Sequence, residues 1–343
     1  MKSILPIIAT VIFISTFAAV WQEEPSCTNY SLKLSDLARM EAGKDTAHLY
    51  SDALEAVIVN NAAYGKIHRA KYNGVSELRI IGDSLSNPFV STYSGLNFEH
   101  ILNGDSVTLG WDIFEPRLAP IKLVRLSDSK VELQQLRTKN WPLASSITYE
   151  LIGNRIEMVY TGTTDSKLLW EKHGYLGVFF ASYIEAPQEK GIHFIGRPRS
   201  DKGGSEPRWI YHLPEGHGQQ SSHRPAGSKW DPGYDTSFEN KISLASGFSN
   251  WEYSYPFYYG ISGENVLIMM FEDIKKHSEV RFANSPNGAG ELNPAWDFIF
   301  YQKKTMEGKA FSFRVCAVYK KFEGQEDVIK IYEKWSGKKV KSL

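Results

Sequence analysis

Ile147-Thr-Tyr-Glu-Leu-Ile152, Gly153-Asn154, Arg155-Ile-Glu-Met-Val-Tyr160 holds two runs of alternating apolar and polar side chains, separated by two turn-forming residues. A period of two puts every second side chain on one face of a strand, and a Gly-Asn pair tolerates the positive φ angles of a tight hairpin. The segment predicts two antiparallel strands with one buried face. The same alternation recurs in Gly65-Lys-Ile-His-Arg69, Glu77-Leu-Arg-Ile-Ile81, Pro120-Ile-Lys-Leu-Val-Arg-Leu126 and Lys130-Val-Glu-Leu-Gln-Gln-Leu136. Further strands are expected at 175–184, 191–195, 258–261, 266–271, 296–302 and 311–319. Only 326–335 has a helical rhythm, with Val328, Ile329, Tyr332 and Trp335 on one face. Many closely spaced strands without βαβ alternation define an all-β class, a large antiparallel two-sheet β-sandwich with a short C-terminal helix. No repeat at a solenoid or propeller period is present.

The N-terminus reads differently. Lys2 precedes an apolar run at 4–17, and Ala18 and Ala19 offer small residues for a signal peptidase. Residues 1–20 are therefore read as a signal peptide, with an uncleaved tether as the alternative; the run is short for a bilayer span of about 20 residues. Residues 21–55 are read as a partly helical extension, with short helical or mixed patterns at 35–40 and 53–57, and 56–343 as one sandwich domain ending in the helix. Export places the chain in a secreted or periplasmic setting. There Cys27 and Cys316 are open to pairing or to remaining two thiols.

The chain has 343 residues with 39 basic and 39 acidic side chains. That balance excludes the basic surface expected of a nucleic-acid or anionic-membrane binder. No membrane partner is expected beyond N-terminal tethering. Aromatic residues reach 13 %, many beside Gly, Asn, Pro or His, which suits both large sheets and sugar binding. There is no phosphate-binding loop, dinucleotide fingerprint or nucleophile elbow.

Four constellations could carry chemistry. Around Asn87–His100, Glu99 and His100 offer an acid and a base, although strand alternation lets at most one of them face a given site. A capped strand end reads equally well there. His173 and Arg197 bound an apolar strand region; Arg197 suits an anionic group by bidentate bonding, or an internal ion pair. The loop with His212, Glu215, His217, His223 and Asp231 offers imidazole bases. A metal at His217 and His223 is the alternative, since the spacing matches no established zinc signature, and no cofactor is expected. Finally Tyr259, Asn293, Trp296 and Asp297, with Trp209, combine aromatic faces and polar tips of the kind a pyranose needs, or form ordinary sheet core.

Ser94-Gly-Leu-Asn-Phe-Glu-His100, Gly177-Val-Phe-Phe-Ala-Ser-Tyr-Ile184, His193-Phe-Ile-Gly-Arg-Pro198, Pro207-Arg-Trp209, Tyr258-Tyr-Gly260 and Asn293-Pro-Ala-Trp-Asp-Phe298 carry a resemblance. From about residue 60 to the C-terminal helix, the chain resembles an uncharacterised family of secreted bacterial proteins found among carbohydrate-degradation genes. That family is similar to the galactose-mutarotase-like supersandwich, which implies a two-sheet sandwich with a sugar-sized cleft on a concave sheet. The H-x-Y-F-N-L-like stretch around the mutarotase catalytic residues is missing, so no mutarotase residue carries over. The resemblance implies a carbohydrate ligand and leaves the reaction open.

The expectation is thus a secreted carbohydrate-active protein, an enzyme acting on a glycoside or uronate-containing polysaccharide as hydrolase or lyase. A mutarotase-type epimerase or a non-catalytic glycan-binding protein are the alternatives. Glu99, His173, His217, His223 and Asp297 are the candidate acids and bases, with Glu99 and Asp297 as the carboxyl pair. His100, Arg197, Trp209, Tyr259, Asn293 and Trp296 are the candidate substrate contacts.

Overall fold

The computed structural model describes residues 45–63, 71–105, 113–138, 141–200, 205–235, 246–272, 277–303 and 310–341. In chain order the elements are β1 (Thr46–Tyr50), β2 (Leu54–Val59), β3 (Gly74–Ile80), β4 (Asn97–Leu102), the short helix α1 (Glu115–Leu118), β5 (Ile121–Arg125), β6 (Lys130–Gln135), β7 (Ala144–Ile152) and β8 (Arg155–Thr163). There follow β9 (Tyr175–Ala181), β10 (Ile192–Pro198), β11 (Arg208–His212), β12 (Ser222–His223), β13 (Trp251–Tyr253), β14 (Phe257–Ser262) and β15 (Asn265–Phe271). The series closes with β16 (Ser278–Ser285), β17 (Ala295–Lys303), β18 (Phe311–Lys321) and helix α2 (Gln325–Ser336).

The opening hairpin is β7–β8, with Ile152 opposite Arg155 and Gly153 at φ 56°. Its buried residues are those the alternation selects: Ile147, Tyr149 and Leu151 on one strand, Ile156, Met158 and Tyr160 on the other. The hairpin sits within a ten-stranded sheet of order β11-β10-β14-β15-β18-β8-β7-β6-β5, with β13 pairing β10. A five-stranded sheet runs β12-β16-β17-β9-β4, and a three-stranded one β1-β2-β3. The ladders between named strands are antiparallel, as expected when neighbours in sequence pair through short turns.

The architecture is a β-sandwich. Tyr149, Met158 and Phe313 of the large sheet meet Phe180, Phe298 and Phe300 of the five-stranded sheet, and Leu54, Ile58 and Leu78 of the three-stranded sheet join the same core. Ring pairs such as Phe180–Phe298 (centroids 5.1 Å apart) and Phe300–Phe313 (4.2 Å) lock the layers together. The outer face of the large sheet carries a second apolar cluster that α2 covers through Val328 and Tyr332. Burying each of those side chains contributes about 1.5–3 kcal/mol. Gly337, at φ 73°, stops the helix with a left-handed cap.

Two sequence readings change here. Of residues 53–57, read as helical or mixed, all but Ala53 belong to β2; Leu54, Ala56 and Ile58 face the core, and strands on both sides satisfy the backbone. Among the described residues sheet structure begins at Thr46, ahead of the boundary drawn at 56. Cys316 lies on β18 as a free, buried thiol. Cys27, the signal region, the pattern at 35–40 and the run at 65–69 lie outside the described residues. Among the described residues no helix is long and apolar enough to cross a membrane.

Candidate active site

Along β17, Trp296, Phe298 and Phe300 point into the core, which leaves Ala295, Asp297, Ile299 and Tyr301 on the outer face of the five-stranded sheet. On β9 the outward residues are Tyr175, Phe179 and Ala181, and Tyr183 follows just beyond the strand. Strand β4 departs from strict alternation. Phe98 opposes Phe180 and His100 opposes Phe179, so Glu99 is an extra residue in the ladder. Such a bulge re-aims side chains. It puts Glu99 and His100 on the same outer face, with His100 Nε2 3.1 Å from Glu99 Oε1. The expectation that at most one of them faces a site is thereby corrected.

Glu99 is the hub of a buried network. Its Oε1 is 3.0 Å from Arg117 Nη1, and its Oε2 accepts from the Tyr183 hydroxyl at 3.0 Å and from Asn97 Nδ2 at 3.3 Å. Burial pushes the carboxyl up, but His100, Arg117 and Tyr183 outweigh it and hold the pKa at about 2. Arg117 is delivered by α1, whose carbonyl at Arg117 is held by Asn61 Nδ2 at 2.8 Å. The guanidinium also lies over the rings of Tyr72 (4.8 Å) and Phe114 (4.6 Å). Tyr72, Tyr93 and Tyr183 form a three-ring cluster with centroids 5.1–5.2 Å apart. Burial, then the Glu99 charge, push the Tyr72 hydroxyl up to about 12.

Two atoms in this network have no hydrogen-bond partner although both are buried: His100 Nδ1, an acceptor or donor, and Arg117 Nε, a donor. The His100 ring is gripped edge-on by Phe114 and Phe179, at 4.5 and 5.2 Å. Across β9, Asp297 accepts from the Ser182 backbone N–H at 3.2 Å. Burial and the nearby Glu99 charge push its carboxyl well above the usual range, so the two carboxyls of this face are shifted in opposite directions. The two strands that carry them flank β9, about 10 Å apart at backbone level.

The other sequence candidates scatter. His217 Nδ1 meets Ser285 Oγ at 3.0 Å, and Ser285 is the diagonal cross-strand neighbour of Asp297, so this imidazole reaches the same face. His173 is bound to Asp235 (3.0 Å) at the far end of β9, beyond Tyr175, which itself stands four residues, about 13 Å, from Phe179. His223 turns inward against Phe194 and Phe282, where burial and then His212 push its pKa well below the usual value. Trp296 is fully buried, its Nε1 donating to the Lys190 carbonyl at 3.0 Å, and cannot stack on a ligand. Asn293 closes its own turn, its N–H donating to the Gly290 carbonyl at 3.2 Å, and its Oδ1 accepts from the Ala186 N–H at 2.9 Å. Trp209 packs on Phe257 and Tyr259 on the outer face of the large sheet, the side of the sandwich away from Glu99. Arg197 stands on β10 of that same sheet, opposite Glu252. Among the described residues no group of three or more His, Cys, Asp or Glu is arranged to hold a metal ion. His217 and His223, in particular, approach β16 from opposite faces.

Arg117, Tyr72, Tyr93 and Tyr183 were not singled out by the sequence reading. Tyr183 had a usable signal, since it continues the outward register of β9, but Arg117 sits in a one-turn helix without a motif. A second cluster lies along the same face, where Arg281 is fully buried, bound to Glu279 at 2.8 Å and packed over Trp230 and Tyr301.

No family model matches the chain, and no curated protein matches it. Among solved structures it is similar to a galactose mutarotase-like protein from Lactobacillus casei, at 11 % identity over 80 % of this chain and 100 % of that one, with a TM-score of 0.44. It is also similar to a protein provisionally assigned as an aldose 1-epimerase from Escherichia coli (9 % identity, 82 % and 100 % covered, TM-score 0.43). A heparan sulfate lyase from Pedobacter heparinus matches at 11 % identity over 83 % of this chain and 36 % of that one, with a TM-score of 0.41.

Proposed function

We propose that the chain is an exported carbohydrate-active enzyme that acts on a uronate-containing polysaccharide by proton abstraction and elimination at the outer face of the five-stranded sheet. The observation that carries this reading is the pair of buried, unused atoms beside Glu99: His100 Nδ1 and Arg117 Nε. Buried polar atoms in native proteins are nearly always paired, so two orphans in one ion-paired network point to groups kept for a ligand. The ionised Glu99 engages His100 Nε2 and thereby fixes which nitrogen carries the hydrogen, leaving Nδ1 as a base. Arg117 keeps a donor for a carboxylate.

The chemistry follows from those roles. Arg117 holds the uronate carboxylate and stabilises the charge that develops when the proton on the adjacent carbon is taken. His100 Nδ1 accepts that proton, the electron pair forms the new C=C bond, and the C–O bond to the leaving sugar breaks. The departing oxygen takes a proton from Tyr72, whose hydroxyl burial keeps protonated. Glu99 acts as a positioning residue here, because a carboxylate clamped between an arginine and an imidazole is a poor acid or nucleophile.

The test is incubation of the full chain with pectate, alginate, heparan sulfate and chondroitin sulfate. Ultraviolet absorbance from an unsaturated uronate is the expected result, and His100→Ala should lower its rate by about 10²–10⁴-fold. New reducing ends without that absorbance would replace this scheme with hydrolysis led by the protonated Asp297. Interconversion of free sugar anomers alone would make the protein an epimerase, and binding without any turnover a glycan-binding module.

A further inference from the structure

At one edge of the sandwich three buried polar atoms make no hydrogen bond of normal geometry: His212 Nδ1, His223 Nε2 and Asn284 Oδ1, the His212 and Asn284 side chains lying within reach of each other. They come from both sheets. His212 shares the inward register of Ile210 on β11, the edge strand of the large sheet. His223 of β12 lies opposite Phe282, and Asn284 follows Phe282 by two residues on the same inner face of β16. The two imidazole rings are 4.6 Å apart and nearly perpendicular. Asn284 Nδ2 donates to the His212 carbonyl at 3.3 Å, which leaves its Oδ1 as a free acceptor.

The hydrogen-bond pattern settles which imidazole nitrogen is available. Ser249 Oγ donates its one hydrogen to the Trp251 carbonyl at 3.0 Å. With that hydrogen on the carbonyl, His223 Nδ1, 2.8 Å from the same oxygen, is the donor, and Nε2 carries a lone pair. This is the arrangement in which an outer partner fixes the tautomer of a metal-binding histidine.

We propose that His212, His223 and Asn284 form a binding site for a divalent transition metal that clamps the edges of the two sheets together. Two imidazoles and an amide oxygen are borderline donors that suit zinc or copper(II), whereas calcium and magnesium demand a shell of oxygens, carboxylates foremost. Ring centres 4.6 Å apart are close to the roughly 5 Å that two imidazoles bound about 2.0–2.1 Å from one tetrahedral ion would show. His223 and Asn284 are fully buried, while His212 is partly exposed and gives the ion a way in. The site is separate from the Glu99 face, since it lies on the inner side of β16.

The experiment is titration of the untagged, chelator-treated full chain with zinc chloride, followed by calorimetry and thermal unfolding. One equivalent should bind, and at zinc roughly a hundred times Kd the Tm should rise by about 5 °C. Cobalt(II) in place of zinc should give visible absorption of a low-coordinate ion. His212→Gln, at the partly exposed position, should weaken binding by more than the ~10–100-fold lost with an outer-shell partner. His217→Gln should leave it unchanged. Absence of stoichiometric binding, with a water as the only bridge between the three atoms, overturns the proposal. Binding that survives His212→Gln, or that His217→Gln abolishes, overturns it as well.

Discussion

Asp297→Asn replaces a buried, protonated carboxyl by an amide of the same shape, and its effect on stability has a definite sign. Burial and the Glu99 charge raise the folded-state pKa of Asp297 well above its ordinary value. The unfolded chain releases that proton near pH 4, while the folded chain keeps it. Stability from this group is therefore complete below the ordinary value and is lost as pH rises toward the folded pKa. The slope is about 1.4 kcal/mol per pH unit. Asparagine has no proton to release, and its Oδ1 can still accept the Ser182 N–H that Asp297 accepts at 3.2 Å. Urea unfolding of both proteins at pH 5, 6 and 7 isolates the group, because distant titrations cancel in the difference and the coupled Glu99, with a pKa of about 2, lies below this range. Asp297→Asn should gain on the parent as pH rises from 5, by at most about 1.4 kcal/mol per unit and only until the folded pKa is reached. Parallel curves, or a gap that widens toward low pH, would show that Asp297 is ionised in the folded protein and that the two carboxyls of this face are not split.

Glu99→Gln should cost about 3–5 kcal/mol at neutral pH, because Arg117 is left buried without its counter-charge and His100 Nε2 without its carboxylate acceptor. Since the Glu99 pKa is depressed, that difference should persist above pH 4.5 and shrink as pH falls through about 2, which acid unfolding of the pair would check. Gly260→Ala should destabilise by about 1–3 kcal/mol or more, because a Cβ there would overlap the Trp296 ring; an unchanged Tm would disprove that packing. Burial, with Glu157 nearby, pushes the Cys316 thiol far up, so a thiol reagent should modify it only as fast as the chain unfolds. Modification at the rate of an exposed thiol would contradict its place beneath α2.

The strands were legible where one face is buried and the other solvated, as in β7 and β8, because alternation is then written in the residue types. The amphipathic α2 was legible for the same reason at a different period. β2 was not: Leu-Glu-Ala-Val-Ile-Val is apolar on both faces, and a short run of that kind has no periodicity to separate strand from helix. Its identity comes from β1 and β3, which are distant information for any window centred on it. The aromatic segment around Trp296 failed in a related way. A tryptophan beside an aspartate suggests a sugar platform, yet β17 is buried on both faces, so its alternation assigns Trp296 to the inner core and Asp297 to the opposite face of the sheet, where it too is buried.

The site was hidden for a more specific reason. Alternation argues that Glu99 and His100 point apart, and on an ideal strand that argument is sound. One inserted residue reverses it, and nothing in Asn-Phe-Glu-His-Ile-Leu advertises the insertion, which becomes visible only when Phe98 and His100 are found opposite neighbouring residues of β9. Once the two side chains share a face, Arg117 and Tyr183 complete a network whose members lie up to 111 residues apart in the chain. The bulge also separates two kinds of carboxylate. A Glu99 on a regular strand would stand apart from His100 and compete with Asp297 as an acid; on the bulge it is spent on orienting the imidazole. The proposed reaction therefore depends on the backbone irregularity of β4 more than on any residue motif, and straightening β4 by deleting Glu99 should remove the proposed turnover, even in a chain that still folds.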